Sequence, residues 1–115
     1  MKSELLYVDH VLECIRRIEE YVAAGWDAFA NSTQAQDAVV RNLQVLAESS
    51  KRIGKDSQTA FPGVPWRQLA GFRNVAVHDC FDIDLQYIWE IVTLDLPSLK
   101  SNVIALRARL MDRAL

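Results

Sequence analysis

In the run Phe72-Arg73-Asn74-Val75-Ala76-Val77-His78-Asp79, an arginine and a histidine stand five residues apart, with an asparagine beside the arginine and an apolar stretch between. An arginine can neutralise a phosphate and grip it with paired hydrogen bonds. An imidazole, with an unperturbed pKa of about 6.5, can take or give a proton at neutral pH. Together they supply what cleavage of RNA by its own 2′-hydroxyl requires without a metal. In that chemistry His78 moves the proton and Arg73 stabilises the extra negative charge of the transition state. Asn74 fixes the imidazole or positions the phosphate. The chain has 2 histidines in all, so the place of each carries weight.

On a regular helix Arg73 and His78 are separated by about 7.5 Å of rise and about 140° of rotation. Asn74 and His78, four residues apart, share a face. The pair can still converge if the long arginine side chain swings round, or if the helix ends before His78. A third route brings the motif against its own copy across a two-fold axis. By spacing alone a plainer role is favoured: His78 as a cation at a helix C-terminus, and Arg73 paired with Asp79 or Asp82.

The elements that must position these residues read as helical throughout. Leu5, Val8, Leu12, Ile15, Ile18 and Val22 recur at steps of three and four, and predict a first helix ending at Gly25. A second helix is expected after Asn31-Ser32-Thr33, with Thr33 and Gln36 as a capping box. Its stripe is Ala35, Ala38, Val39, Leu43, Leu46 and Ile53, and Gly54 is its expected stop. The polar stretch from Lys55 to Val64, with Pro62 and Gly63, reads as a loop. Pro65 suits the first position of a short third helix running through Trp66, Leu69, Phe72 and Ala76 to His78. Asp82 and Asp84 can cap the start of a last helix from Leu85 to Leu110, which Pro97 should kink or split. The expected class is all-α, an up-and-down bundle of four main helices in one domain spanning residues 1–115.

Composition narrows the function. The 115 residues are 50% hydrophobic and 24% charged, as in a water-soluble globular chain. No apolar run approaches a membrane span, and the start Met1-Lys2-Ser3-Glu4 lacks a signal-peptide layout. The 2 cysteines, Cys14 and Cys80, are too few for a disulfide framework and have no metal-ligand spacing, so a reduced, cytoplasmic protein without a metal or cofactor is expected. A net charge of −2 and a pI near 5.6 count against nucleic-acid binding by bulk attraction. RNA would have to be held at a local site or with a partner.

Other polar residues are candidates for that local site. Arg41 and Glu48, seven apart, share a face of the second helix, as a supplement to an active site or as a solvent-facing charge pair. Lys51, Arg52 and Lys55 form a basic cluster that could receive an RNA backbone, or that simply complements the helix dipole. His10 reads as a surface residue near Glu13 and Cys14. Trp26, Trp66 and Trp89 read as core or interface anchors.

Beyond the pair itself, the chain resembles the HepT-like toxins of the HEPN superfamily, small helical partners of minimal nucleotidyltransferase (MNT) antitoxins. The likeness runs through residues 12–21, 38–48, 72–74, 78–79, 82–85, 87–92 and 95–99, in order. It implies a HEPN-like helical domain acting as a metal-independent endoribonuclease toxin. The site would be Arg73, Asn74 and His78, composite across a homodimer, with an MNT antitoxin and RNA as partners. The family motif is Arg, four residues, His, any residue, then Tyr. Here Cys80 occupies the tyrosine place. In the family that tyrosine is the residue the antitoxin modifies with AMP, and a thiol offers no phenolic oxygen. No modification site is assured, and masking by bound antitoxin is left open. Cys80 reads as a packing residue, since no third group orients a Cys–His pair. The alternative is a non-catalytic helical subunit that binds a nucleotide or a nucleotidyltransferase.

Overall fold

The computed structural model describes residues 2–72 and 84–114. Among these the order is α1 (Lys2–Val22), α2 (Trp26–Ala30), α3 (Thr33–Lys51), α4 (Lys55–Ala60), α5 (Trp66–Gly71), α6 (Leu85–Glu90), a π-helical turn (Ile91–Asp95) and α7 (Leu96–Ala114). No strand occurs among the described residues, and the fold is all-α. None of these helices is long and apolar enough to cross a membrane.

The apolar stripe of α1 drives its packing. Val8, Val11, Ile15 and Ile18 are buried and join Val39, Leu43, Leu46 and Ala47 of α3 in one core. Leu99, Val103, Leu106 and Leu110 of α7 complete it. Helix α1 lies chiefly against α3 and α7. Two ion pairs fasten the α7 flank: Arg107 Nε donates to Asp9 Oδ1 at 2.6 Å, and Lys100 Nζ to Glu19 Oε2 at 3.0 Å. Their order along the two helices makes α1 and α7 antiparallel. All four side chains are substantially exposed, so these bridges define the alignment more than they stabilise it.

Local chemistry sets the breaks. Gly25 follows α1 with φ +96°, a left-handed conformation that costs glycine little, and its N–H donates to Val22 O at 3.0 Å. The start of α3 differs from expectation by one residue. Ser32, not Thr33, is the N-cap, and its hydroxyl accepts the Ala35 N–H at 3.1 Å. That shift puts Gln36 one position too far along to reach back to the cap. Its amide instead donates to Phe29 O at 3.0 Å and Ala30 O at 3.1 Å, tying α3 to the end of α2.

The stretch expected as a loop contains a helix. Residues Lys55–Ala60 form α4, and Gly54, expected to stop α3, opens α4 as its N-cap. Helix α3 has already ended at Lys51, with Arg52 as its C-cap. Long-range partners complete α4: Glu4 of α1 accepts from Gly54 N–H and from the Ser57 hydroxyl, and the Trp66 indole N–H is shared by Gln58 O and Phe61 O. Pro65 is the N-cap of α5 rather than its first helical residue. The expected extension of this helix to His78 lies outside the described residues.

Asp84 caps α6, its Oδ1 accepting the Tyr87 N–H at 3.0 Å. The long C-terminal stretch then passes through the π turn, after which Pro97 sits in the first turn of α7. Proline has no N–H to give the carbonyl four residues back, the kind of gap with which wider turns are compatible. Gln68 of α5 donates to Asp95 of the π turn at 2.9 Å, joining the segments on either side of residues 73–83.

Candidate nucleic-acid interface

Arg73, Asn74, His78 and Cys80 lie outside the described residues. The described flanks fix where the motif departs and returns. Phe72, immediately before Arg73, is 3% exposed in the core, and Asp84 is the cap of α6.

The described residues do form a polar groove between α1 and α3, with a volume of about 590 Å³. Helix α1 contributes Tyr7 and His10, and α3 contributes Arg41, Gln44, Val45, Glu48 and Ser49, with Arg52 at its C-cap. The α3 residues recur at three- and four-residue steps and so line one face. Arg41, Glu48 and Arg52 are thus brought together. Lys51, which points off that face, is exposed and is not part of the lining.

The arrangement within the groove is specific. The Arg52 guanidinium lies over the Tyr7 ring, 5.6 Å from its centroid. His10 meets the same ring edge-on, with centroids 5.9 Å apart and planes at 79°. Tyr7 is partly buried, whereas His10, Arg41, Glu48 and Arg52 are exposed. Arginine over an aromatic face is attracted by the ring quadrupole and restrained in direction. The lining therefore offers two guanidiniums and an imidazole around one carboxylate, a local basic excess on a chain of net charge −2. Such groups can hold phosphate oxygens and stack on a base.

Residue type and spacing do not by themselves mark Tyr7 and His10 as site residues. A signal existed: they are three apart on α1, beside the apolar stripe rather than opposite it. What the sequence could not show is that α3 presents Arg52 to the same spot.

The remaining candidates are structural in what they touch. Trp26, Phe29 and Trp89 form a ring cluster, with the Phe29 and Trp89 centroids 5.5 Å apart. Cys14 is buried, and burial above all pushes its thiol pKa up, which suits packing rather than nucleophilic attack. No group of three or more His, Cys, Asp or Glu among the described residues is arranged to hold a metal ion.

The fold is all-helical, and its sequence sets Arg73 and His78 five residues apart, in keeping with ribonucleases of the HEPN class. The chain belongs to the ribonuclease HepT-like family, whose model matches residues 11–106. It is 34% identical over 107 residues to the "Probable ribonuclease HepT" of Thermococcus cleftensis, covering 92% of this chain and 97% of that one. It is 34% identical over 94 residues to "Putative RNase MJ1380" of Methanocaldococcus jannaschii, covering 81% of this chain and 86% of the relative. A third relative, "Gamma-glutamylcyclotransferase and putative RNase MJ0434" of the same archaeon, is 32% identical over 110 residues. That match takes in 95% of this chain, which spans only 50% of the relative's length. No solved structure matches the chain.

Proposed function

We propose that this protein is a metal-independent endoribonuclease of the HEPN type, acting as the toxin of a toxin–antitoxin pair. The observation that carries the reading is the family match across residues 11–106, within which Arg73 and His78 keep the five-residue spacing of an Arg-x4-His motif. His78 takes the proton of a ribose 2′-hydroxyl, whose oxygen then bonds to the adjacent phosphorus. Arg73 holds the phosphate as its charge rises, with Asn74 in support. The bond from phosphorus to the 5′-oxygen breaks, and that oxygen leaves with the proton returned by the His78 imidazolium, which restores the neutral base. The products are a 2′,3′-cyclic phosphate and a 5′-hydroxyl.

The active form in this reading is a cytoplasmic homodimer in which two copies of the motif face one another, with exposed Tyr87 and neighbouring Trp89 as candidate interface residues. An MNT antitoxin neutralises it. Because Cys80 stands in the tyrosine place, neutralisation proceeds by masking rather than by AMP attached to a tyrosine at that position.

The test is cleavage of a broad RNA pool by the purified protein in the presence of EDTA, beside Arg73→Ala and His78→Ala. Cleavage that both variants lose by 100-fold or more supports the reading. Folded native protein that leaves all RNA intact refutes it and points to the non-catalytic binding subunit.

A further inference from the structure

We infer that the groove between α1 and α3 is a binding subsite for single-stranded RNA. Arg41 and Arg52 hold backbone phosphates there, His10 stacks on a base, and Tyr7 is the positioning residue that holds Arg52 and His10 in place. The nature of the ligand rests on the ribonuclease reading; the placement of the groups rests on the groove itself.

Four observations converge. The volume of about 590 Å³ falls within the range of sites that take a nucleotide-sized group. The cations are spread along one helix face, Arg41 in the middle of α3 and Arg52 at its C-cap, so a strand laid along the groove meets both. The Tyr7 ring restrains Arg52 from one side and His10 from another, which lowers the cost of ordering these side chains on a ligand. Glu48 places a carboxylate between the two arginines along the face. A base amino group or a ribose hydroxyl can donate to it. The combination suits a chain that alternates phosphate with base and sugar. A duplex, read across a broad surface, gains little from one groove on a chain of net charge −2.

The experiment measures binding of a fluorescent 2′-O-methyl RNA 12-mer, which lacks the attacking hydroxyl, by anisotropy over a range of salt. The intact chain is compared with Arg41→Ala/Arg52→Ala, His10→Ala, Tyr7→Ala, Tyr7→Phe and Lys51→Ala, each checked for helical content by circular dichroism. The double arginine variant should bind at least tenfold more weakly, with a salt slope shallower by roughly 0.7 for each arginine lost. His10→Ala should lose about fivefold or more. Tyr7→Ala should weaken binding and Tyr7→Phe should restore it, because the ring and not the hydroxyl positions Arg52. Lys51→Ala should stay within twofold of native.

Native-like binding by the double arginine variant overturns the subsite. So does a Tyr7→Phe loss equal to that of Tyr7→Ala, or displacement of the RNA by inorganic polyphosphate at equal charge. Cleavage of unmodified RNA, run alongside, separates the two readings. Native protein that cleaves while groove variants bind unchanged defeats the subsite alone. Native protein that binds through the groove but never cleaves defeats the ribonuclease reading alone.

Discussion

Glu4, in the first turn of α1, caps a helix that begins 50 residues later in the chain: its Oε1 accepts the Gly54 N–H at 2.8 Å and its Oε2 accepts the Ser57 hydroxyl at 3.0 Å. Gly54 has no side chain with which to cap α4, so the carboxylate comes from another helix. The negative charge also complements the exposed amides of that helix start.

Glu4→Ala should therefore destabilise the fold by about 1–2 kcal/mol. Glu4→Gln, which keeps an acceptor for Gly54, should lose roughly half as much. A Cβ at Gly54 would collide with Glu4 Oε1, so Gly54→Ala should displace the same cap. The double variant should then cost clearly less than the sum of the single ones. Urea unfolding of the native protein, the three single variants and the Glu4→Ala/Gly54→Ala double variant measures these expectations.

On the opposite, exposed side of α1, Arg16 brackets two acids, with Nη2 donating to Glu13 Oε1 and Nη1 to Glu20 Oε1, each at 2.6 Å. The hydrogen bond from Arg16 is the chief cause that brings the Glu13 carboxyl from an ordinary 4.5 down to about 2, helped by Arg16's charge and by Arg17. A carboxyl depressed by folding adds stability that is fully present above its unfolded pKa. Here that stability fades as pH falls from about 4.5 to about 2. Because the pair is exposed, the effect on stability is small and salt-screened. The sharper readout is an NMR titration of the Glu13 side-chain carbon, with a midpoint near 2 that Arg16→Met moves up toward 4.5.

Cys14 is 5% exposed, with a thiol pKa raised by burial. In the folded protein iodoacetamide at pH 8 should leave Cys14 unlabelled, and guanidinium should make it fully reactive. Peptide mass spectrometry after alkylation reads this residue apart from Cys80.

Phe29 is fully buried, 6.3 Å from Trp26 and 5.5 Å from Trp89 between ring centroids. Phe29→Ala should cost about 3–5 kcal/mol by transfer and cavity together. Phe29→Leu should cost clearly less. Tryptophan emission during unfolding should report both, since two of the three indoles lie against this ring.

Much of the helical frame was legible because periodicity is a local property. The stripe from Leu5 to Val22 marks α1, Gly25 marks its end, and Asp84 marks the start of α6. Sequence is silent where the deciding partner is distant along the chain. Helix α4 reads as a loop until Glu4 and Trp66 are seen to complete it. Sequence does not resolve the α3 cap to the residue, because Ser32 and Thr33 offer the same hydroxyl and only backbone geometry selects Ser32. Among the site residues, the seven-residue interval placed Arg41 and Glu48 on one face. It could not reveal that Tyr7 and His10 stand across from them, because that depends on how α1 and α3 pack.

The antiparallel clasp of α1 against α7 has a bearing on synthesis. Asp9 finds Arg107 across 98 positions of sequence, and α7 covers one flank of α1. A nascent chain halted before Leu96 carries Tyr7 and His10 on a helix still open along that flank. The core closes only after the ribosome has made the residues of α7, so the helix that carries Tyr7 and His10 is held on both flanks only once the chain through Leu110 is available.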